Sequence, residues 1–575
     1  MKPFYITTPI YYVNSDPHVG SAYTTMFADI MARFYKMDGY NVKFLTGTDE
    51  HGQKIEQSAK KNNEKEQEFV DRISQRFRDL VKLMKYEPTK FETLNDSFIR
   101  TTMPCHETFI QDVWRIMVKN DWIYEGTYEG WYCVSDEAYY DENELIKGAD
   151  GVLRTDLGKE AEWKKEKTYF FRLSEFQDLL LKIYKKYPDL VRPYGKKTEV
   201  LSFVSGLSMK EYDEGKPAKK DYLKDLSISR NGFEWGIKIP CDLEGNELLD
   251  EKGEWKSNVQ QNERHVIYVW FDALFNYLTA LGCKNNHNDY KTFWLDNPDK
   301  YHLIGKEILR PHAVYWPAFL IAFNYTREQV KNMREVDENV KNILPTAIYA
   351  HGWLTNEGQK ISKSLGNVVV PKFEIEWLVN EYGLNEDTAR DYFKYYLLTL
   401  TTFGNDGDYS RAKLIEKVNG ELANKIGNLA KRTFDMIYKN CNAKIPEVKE
   451  FNVINSVDIS IFENYIKDFD FTSYVESLLK IADETNKYMD EKAPWKLKKD
   501  NKISEMEKVL YEVANSVKDI AILLQPFCPY LSLTILKEAG YEFKSGIGFE
   551  YLKEELKFGQ EIKTPTIIFP RLIRK

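Results

Sequence analysis

Residues 4–20 read FYITTPIYYVNSDPHVG, and this stretch decides the fold class. The apolar run over residues 4–13 predicts a buried strand, and the polar residues after it predict a turn. Apolar side chains at helical spacing then predict a helix over residues 18–37, and residues 42–46 predict a second short strand. Strand, helix and strand in this order form a βαβ unit, so we predict a parallel sheet.

The rest of the chain changes character twice. Residues 120–225 are rich in Tyr, Trp and Gly and contain short alternating segments, which predicts a β-rich insertion. After about residue 373 the pattern is almost purely helical, and one predicted helix runs from about Ile503 to Gln525. A single face of an earlier helix is predicted from apolar residues three or four apart: Leu414, Val418, Leu422, Ile426 and Leu429. A length of 575 residues suggests about three to five structural units.

Composition excludes several classes of protein. Hydrophobic residues make up 43% of the chain and charged residues 30%, so fibrous and disordered classes do not fit. The longest apolar stretch, near residues 313–323, is too short to span a bilayer, and no apolar leader precedes the first strand, so we expect a cytoplasmic protein. The six cysteines are scattered, which argues against a disulfide framework. With a net charge of −8, nucleic acid would have to bind at a local basic patch.

Two short motifs suggest phosphate chemistry. His18 and Gly20 lie between a strand and the start of a helix, where free N–H groups and the helix dipole attract anions. Residues 360–367 (KISKSLGN) place Lys360 and Lys363 on a Gly/Ser-rich loop, and such a pair suits charge that develops on pyrophosphate. Taken alone, the first motif fits a helix-capping histidine and the second a solvated basic turn. Neither GxxxxGK[ST] nor GxGxxG occurs, so the usual nucleotide-binding loops are excluded.

The combination resembles a known family. An HxG motif near the N-terminus and a KISKS motif before a helical C-terminus are similar to class I aminoacyl-tRNA synthetases. Further stretches resemble the methionyl branch in order and rough spacing: residues 46–52 (TGTDEHG), 269–274 (VWFDAL), 302–306 (HLIGK), 315–317 (YWP) and 350–353 (AHGW). The resemblance covers nearly the whole chain.

The resemblance implies a methionine–tRNA ligase of α/β fold. Such an enzyme activates L-methionine with ATP to methionyl-adenylate and pyrophosphate, and then esterifies tRNA(Met) for protein synthesis. We expect a Rossmann-like parallel-sheet catalytic domain that is split by a β-rich connective insertion and followed by an all-α anticodon-binding bundle. The expected segments are catalytic residues 1–118, the insertion at 119–225, catalytic residues 226–325, a KISKS-loop and stem-contact region at 326–385, and the helical domain at 386–575.

The resemblance also assigns residues to ATP. His18, Lys360 and Lys363 are the expected catalytic groups, which stabilise phosphoryl charge. The attacking methionine carboxylate is already ionised at neutral pH, so no general base is expected. The expected ATP-binding residues are His18, Gly20, Ser21, Gly305, Glu307, Lys360, Ser362, Lys363 and Ser364. Glu307 stands where the family usually has an aspartate near the ribose.

Methionine and the anticodon have their own expected residues. Asp49 matches the family position that holds the ammonium group, and aromatic rings suit the polarizable thioether. The expected methionine-binding residues are Ile10, Tyr12, Asp49, Trp270, Ala273, Leu274, Tyr277 and His312. Without the resemblance, this aromatic stripe would equally fit a plain core. The expected anticodon-binding residues are Asn428, Arg432 and Trp495, for which a solvated helix face and a core anchor are the structural alternatives.

Two positions depart from the family. Ser21 stands where a second histidine is common, which removes one expected phosphate contact. In the insertion, Cys133 is followed by Asp136 where a second zinc-binding cysteine would fall, and one thiolate is too few for a closed zinc site. We therefore expect Mg²⁺ with ATP as the only metal and no zinc. We also expect a monomer, because few residues follow the helical bundle, and we expect no membrane association.

Two other functions stay open at this point. The chain could be a class I synthetase for leucine, isoleucine, valine or cysteine, although the insertion is short for an editing domain. It could also be a non-catalytic tRNA-binding relative. The presence of His18, Asp49, Lys360 and Lys363 argues against that second alternative, and Ser21 argues for it.

Overall fold

The computed structural model describes residues 1–14, 16–84, 97–134, 138–140, 142–148, 150–156, 158–282, 287–361, 366–542 and 547–573. The strands are β1 (Pro3–Thr7), β2 (Tyr11–Tyr12), β3 (Asn41–Asp49), β4 (Ser97–Arg100), β5 (Ile123–Cys133), β6 (Ala138–Tyr140), β7 (Ile146–Lys147), β8 (Leu153–Arg154), β9 (Glu162–Phe171), β10 (Val191–Arg192), β11 (Leu226–Ser227), β12 (Ser229–Arg230), β13 (Val266–Ile267), β14 (Lys300–Gly305), β15 (Ala347–His351), β16 (Leu354–Asn356), β17 (Gln359–Lys360) and β18 (Gly407–Tyr409).

The helices that precede the last parallel strand, β15, are α1 (Val19–Met37), α2 (Gln53–Lys61), α3 (Glu66–Met84), α4 (Pro104–Lys119), α5 (Gln177–Lys186), α6 (Tyr194–Ser205), α7 (Met209–Asp213), α8 (Val269–Leu274), α9 (Asn276–Gly282), α10 (His287–Tyr290), α11 (Trp316–Asn324), α12 (Arg327–Lys331) and α13 (Glu338–Ile343). The later helices are α14 (Pro371–Tyr382), α15 (Glu386–Leu398), α16 (Arg411–Lys417), α17 (Asn428–Asn440), α18 (Ile459–Lys467), α19 (Phe471–Lys492), α20 (Pro494–Lys499), α21 (Ile503–Leu524) and α22 (Pro529–Glu538). Wide π-helical turns occupy Lys291–Leu295, Pro311–Tyr315 and Val418–Gly427.

The central sheet is parallel, as the βαβ pattern predicts. Its strand order is β10-β15-β14-β1-β3-β2, and β4 also pairs with β3. Helix α1 connects β1 to β3 and is buried along nearly its whole length. The layered α/β arrangement confirms the predicted fold class.

The first strand and the second differ from the prediction in detail. The predicted strand over residues 4–13 is interrupted after Thr7, because Pro9 has no N–H to donate to the sheet, and pairing resumes at β2. Gly47 does not end the second strand, which continues to Asp49. Gly47 instead admits a neighbouring strand, since a Cβ there would lie 2.2 Å from the carbonyl oxygen of Ile99.

The insertion is β-rich only in its first half. Strands β6, β5, β9 and β11 form an antiparallel sheet, in which β5 and β9 make a long two-stranded ribbon. Residues 177–213 form the helices α5, α6 and α7, contrary to the predicted β-rich character of residues 119–225. This segment is helical instead of β-rich because its apolar residues have helical spacing. Leu179, Leu180 and Ile183 form one buried face of α5. Strand β10 already pairs with β15 of the central sheet.

The C-terminal region is helical, as predicted. Helix α21 ends at Leu524, shortly before Pro526, close to its predicted boundary. The predicted apolar face from Leu414 to Leu429 is buried. Its repeated four-residue spacing agrees with the wide turn at Val418–Gly427, because a π-helix has more residues per turn than an α-helix. Within the described ranges, no helix has both the length and the apolar character that a membrane crossing requires.

Candidate active site

A cavity of about 880 Å³ opens at the carboxyl edge of the central sheet. Four strands bring residues to its wall: Ile10 follows β1, Asp49 ends β3, Gly305 ends β14 and His351 ends β15. Parallel strands place their carboxyl ends at one edge, which is where α/β proteins bind ligands.

Every described residue of the two predicted substrate sets lines this cavity. The predicted ATP-binding residues found there are His18, Gly20, Ser21, Gly305, Glu307 and Lys360, and the predicted methionine-binding residues are Ile10, Tyr12, Asp49, Trp270, Ala273, Leu274, Tyr277 and His312. Ser362, Lys363 and Ser364 lie outside the described residues. The fold therefore joins stretches of sequence that are separated by hundreds of residues.

His18 caps the first turn of α1. Its Nδ1 accepts the backbone N–H of Gly20 at 3.0 Å, so a neutral imidazole carries its proton on Nε2. A Cβ at residue 20 would lie 2.8 Å from His18 Cε1. Gly20 is thus needed for the capping rotamer of the histidine, in addition to its predicted place among the ATP-binding residues. The capping alternative and the phosphate role are compatible, because the cap orients the other ring nitrogen.

Two buried histidines, His302 and His312, contact Tyr277 in the aromatic part of the cavity lining. The Tyr277 hydroxyl lies 2.7 Å from His312 Nε2, and His312 Nδ1 lies 2.9 Å from the carbonyl oxygen of Ile308. Burial lowers the pKa of His312 to about 4, so the ring is neutral at pH 7. Its Nδ1–H then donates to Ile308, and its Nε2 accepts the Tyr277 proton.

The second histidine, His302, supports this wall from behind. Its ring centroid lies 4.1 Å from that of Tyr277, and its Nε2 accepts the indole N–H of Trp316 at 3.1 Å. Its Nδ1 therefore donates to Thr7 Oγ1 at 2.8 Å. Burial, with the nearby His312 and Lys300, holds the pKa of His302 well below its usual value. A neutral, polarizable wall of this kind suits an apolar side chain that contains sulfur.

Lys360 is positioned by a tight hairpin. Strands β16 and β17 pair across Glu357 and Gly358, which have φ of 49° and 76°. Two central residues with positive φ are typical of a type I′ turn, which matches the twist of the flanking strands. The backbone N–H of Gly358 donates to Asp408 of β18 at 2.7 Å, which holds the turn against the neighbouring strand.

An indole lies between the predicted phosphate and ribose residues. Trp353 donates from Nε1 to Glu307 Oε2 at 2.9 Å, and the ammonium groups of Lys306 and Lys360 lie 4.2 and 5.7 Å from its ring centroid. Asp406 accepts the backbone N–H of Trp353 at 2.7 Å and pairs with Lys306 at 2.6 Å. Burial opposes ionisation of Asp406, but these two contacts outweigh it and keep its pKa below the usual value.

Several of these residues have no role that the sequence predicts. Trp353 and His351 belong to the matched stretch at residues 350–353, whereas nothing in the sequence pointed to Asp406 or Thr24. His351 Nδ1 donates to the carbonyl of Gly352 at 2.7 Å, so its Nε2 accepts the Thr24 hydroxyl at 2.7 Å. This bond connects the second turn of α1 to the end of β15, and thus one side of the cavity to the other.

The predicted anticodon residues form one exposed surface on the helical region. The Arg432 guanidinium lies 5.2 Å from the Trp495 ring centroid and pairs with Asp490 at 2.7 Å. Asn428 is exposed one turn before Arg432 on α17. Trp495 is 40% exposed, which does not fit the core-anchor alternative.

The described cysteines are separate thiols. Cys133 is buried at the end of β5, and burial raises the pKa of Cys241 and of Cys441 to about 11. Asp136 and Cys283 lie outside the described residues. Among the residues that the structure describes, no three His, Cys, Asp or Glu side chains cluster as metal ligands.

The fold and the cavity define a class I aminoacyl-tRNA synthetase, and comparison with known proteins agrees. Residues 4–156 and 154–434 match the family described as tRNA synthetases class I (M). The methionine–tRNA ligase of Rickettsia conorii is 42% identical over 99% of both chains, and that of Rhizobium meliloti is 39% identical over all of this chain and 98% of its own. The chain therefore belongs to the methionine–tRNA ligase family, which confirms the predicted membership.

Solved structures support the same assignment. The methionyl-tRNA synthetase of Mycobacterium tuberculosis in complex with methionyl-adenylate is 34% identical, with a TM-score of 0.82 over 99% of this chain and 100% of the other. The apo form of that protein has a TM-score of 0.77 at 32% identity, over 99% of this chain and 98% of the other.

Proposed function

We propose that this chain ligates L-methionine to tRNA(Met) in two steps. The methionine carboxylate attacks the α-phosphorus of ATP, pyrophosphate leaves, and the terminal ribose of the tRNA then accepts the aminoacyl group. One observation supports the proposal: among the residues that the structure describes, those expected for ATP and those expected for methionine line a single cavity of about 880 Å³. A volume of this size suits an aminoacyl nucleotide.

Activation would proceed by positioning and by stabilisation of phosphoryl charge. The attacking carboxylate is ionised at neutral pH, so the site needs no general base. His18 presents the proton of Nε2, because its Nδ1 is occupied by the Gly20 N–H. Lys360 would supply a cation from the end of its hairpin. Lys363 would add a second cation. ATP enters as its magnesium complex, so Mg²⁺ is part of the substrate.

Methionine would be recognised at both of its ends. Asp49, at the end of β3, would pair with the ammonium group. Tyr12, Trp270 and Tyr277 would surround the thioether, and neutral His312 would keep the Tyr277 hydroxyl turned away from it. Shape and sulfur contacts discriminate against other apolar side chains by only about 1–3 kcal/mol. Because this difference is small, the side chains around the thioether must keep a fixed arrangement for the enzyme to be specific.

The ribose and the tRNA involve other surfaces. Glu307, oriented by Trp353, would bind the ATP ribose in place of the aspartate that is usual in the family. On the helical region 386–575, Trp495 would stack on an anticodon base, and Asn428 and Arg432 would read its edge. Arg432 would have to exchange its contact with Asp490 for the RNA.

The remaining proposals concern metal content and assembly. We propose that the insertion holds no zinc, since Cys133 has an aspartate where a second ligand would fall, and metal analysis of the purified protein tests this. We also propose a cytoplasmic monomer. Light scattering at micromolar concentration tests the assembly state, and a stable dimer would contradict it.

Amino-acid-dependent ATP–pyrophosphate exchange tests the activity. We expect exchange with L-methionine and none above background with leucine, isoleucine, valine or cysteine. Exchange with one of those amino acids would instead favour another class I synthetase. Absence of exchange with every amino acid, alongside retained binding of tRNA, would favour a non-catalytic tRNA-binding protein.

A further inference from the structure

The carboxylate of Asp272 is buried next to the residues that we propose bind the methionine side chain, here called the methionine wall (Tyr12, Trp270, Ala273 and Tyr277). It does not line the cavity. Asp272 belongs to α8, the helix that carries Trp270 and Ala273, and its side chain is 1% exposed. Residues 270 and 273 share one helix face, whereas residue 272 points to the opposite side. Asp272 therefore does not contact a ligand in the cavity.

Both oxygens of Asp272 bind histidines from other parts of the chain. Its Oδ2 lies 2.7 Å from His51 Nδ1, and its Oδ1 lies 2.7 Å from His106 Nε2. His51 follows Asp49 by two residues, and His106 belongs to α4. The second nitrogen of His106 lies 2.9 Å from Thr279 Oγ1 on α9. The carboxylate thus connects three separate segments in one hydrogen-bonded cluster.

The charges in this cluster favour strong bonds. Burial disfavours ionisation of Asp272, but the two imidazole partners outweigh it and keep its pKa below the usual value. Burial likewise lowers the pKa of His51, but Asp272, Glu107 and Glu50 outweigh it and raise that pKa overall. Hydrogen bonds with an ionised partner in a low-dielectric interior are shorter and stronger than neutral ones.

We propose that Asp272 is a positioning residue for methionine, which fixes the distance between the group that binds its ammonium and the wall that binds its side chain. The inference rests on the proposed function. Asp49 is carried by the segment that ends in His51, and Trp270 and Ala273 are carried by α8. The Asp272–His51 bond is a direct polar link between these two segments. Methionine must contact both at once, so loosening this link weakens its binding specifically.

Kinetics of Asp272→Asn tests the proposal. The variant keeps the side-chain volume and removes the charge. We expect its KM for methionine in ATP–pyrophosphate exchange to rise about tenfold or more, with the KM for ATP changed less than twofold. A residue that only stabilises the fold would lower the thermal midpoint or the active fraction without separating the two KM values.

Three further variants test the same proposal. His106→Asn removes the outer contact and leaves the Asp272–His51 bond, so its KM for methionine should rise by less than that of Asp272→Asn. In the Asp272→Asn/His106→Asn double variant, the KM for methionine should be no higher than in Asp272→Asn alone, because members of one network do not act additively. Glu374→Gln is the matched control: this buried carboxylate binds Arg411 at 2.8 Å and Tyr409 at 2.7 Å, and none of these three residues lines the cavity. Its KM for methionine should stay within twofold of wild type.

The outcomes separate this inference from the proposed function. If the unmodified protein does not exchange with methionine, the proposed function fails. If it does exchange and Asp272→Asn has a KM for methionine within twofold of it, the positioning role alone is overturned. Equal increases in both KM values would also overturn it, since they would indicate a general distortion of the cavity.

Discussion

The imidazole of His18 accepts the backbone N–H of Gly20 at 3.0 Å, and the ring lies where a side chain at residue 20 would have to be. This contact explains why the HxG motif has a glycine two residues after the histidine. The glycine allows the histidine to cap its own helix, and the cap directs the protonated ring nitrogen. A motif that predicts anion binding therefore also fixes the orientation of one side chain.

Gly20→Ala tests this explanation. The new Cβ would lie 2.8 Å from His18 Cε1, so the ring must leave its capping position. We expect kcat/KM for ATP in pyrophosphate exchange to fall at least tenfold while the thermal midpoint changes little. Gly232→Ala is the control, because a Cβ there meets open space. Activity within twofold of wild type for Gly20→Ala would show that the capping rotamer is not required.

The hairpin that presents Lys360 leads to a second prediction. Lys360→Met should lower kcat for activation by about 10²- to 10³-fold, the size typical of a lost charge-stabilising donor, with the methionine KM nearly unchanged. Lys372→Met is the matched control. Lys372 is an exposed lysine on α14, and its Nζ lies 3.8 Å from Oε1 of Glu376 on the same helix. An unchanged kcat for Lys360→Met would remove the hairpin from the mechanism.

The exposed ring beside Arg432 leads to a third prediction. Trp495→Ala should reduce the rate of tRNA charging at least tenfold, since base–aromatic stacking contributes about 1–3 kcal/mol, and should leave pyrophosphate exchange intact. Tyr438→Ala serves as the control, because this half-exposed tyrosine lies on the same helix as Arg432. Equal losses of charging and exchange in Trp495→Ala would mean that the ring is structural.

The neutral state of His312 leads to a prediction about pH. Its folded-state pKa is about 4, against 6.5 in the unfolded chain. Between these values the unfolded chain binds a proton that the folded protein does not. The stability that neutral His312 contributes is therefore present above pH 6.5 and is lost as the pH falls, by about 2 kcal/mol between pH 7 and pH 5.

The variant His312→Gln isolates this contribution. It stays uncharged, so its thermal midpoint should fall less between pH 7 and pH 5 than that of the unmodified protein. Comparing the two proteins at the same pH values removes the contributions of other groups, including His51, whose raised pKa has the opposite sign. Parallel decreases in the two midpoints would contradict the prediction.

The sequence predicts the parallel sheet and the helical C-terminal region because both have a clear periodicity. The strand–helix–strand order of residues 4–46 sets the sheet, and the apolar spacing from Leu414 to Leu429 sets a helix. Interruptions of periodicity are harder to predict. Pro9 breaks the first strand, and the helices α5 to α7 follow a β-rich ribbon without an obvious change in composition.

The predicted site residues came from matched stretches, and long-range contacts could not be predicted from them. Thr24 and His351 are 327 residues apart, and His106 and Asp272 are 166 apart. Asp406 reaches the cavity because its backbone packs against Gly352, where a Cβ would lie 2.2 Å from the carbonyl oxygen of Asn405. Such contacts have no periodicity in sequence, so only the folded chain shows them.

A crystal structure with a non-hydrolysable methionyl-adenylate analogue tests the central claim most directly. We predict that its ammonium lies within hydrogen-bond distance of Asp49, its thioether lies among Tyr12, Trp270 and Tyr277, and its phosphate-mimicking group lies beside His18. An analogue bound in the reverse orientation, or bound outside this cavity, would contradict the account.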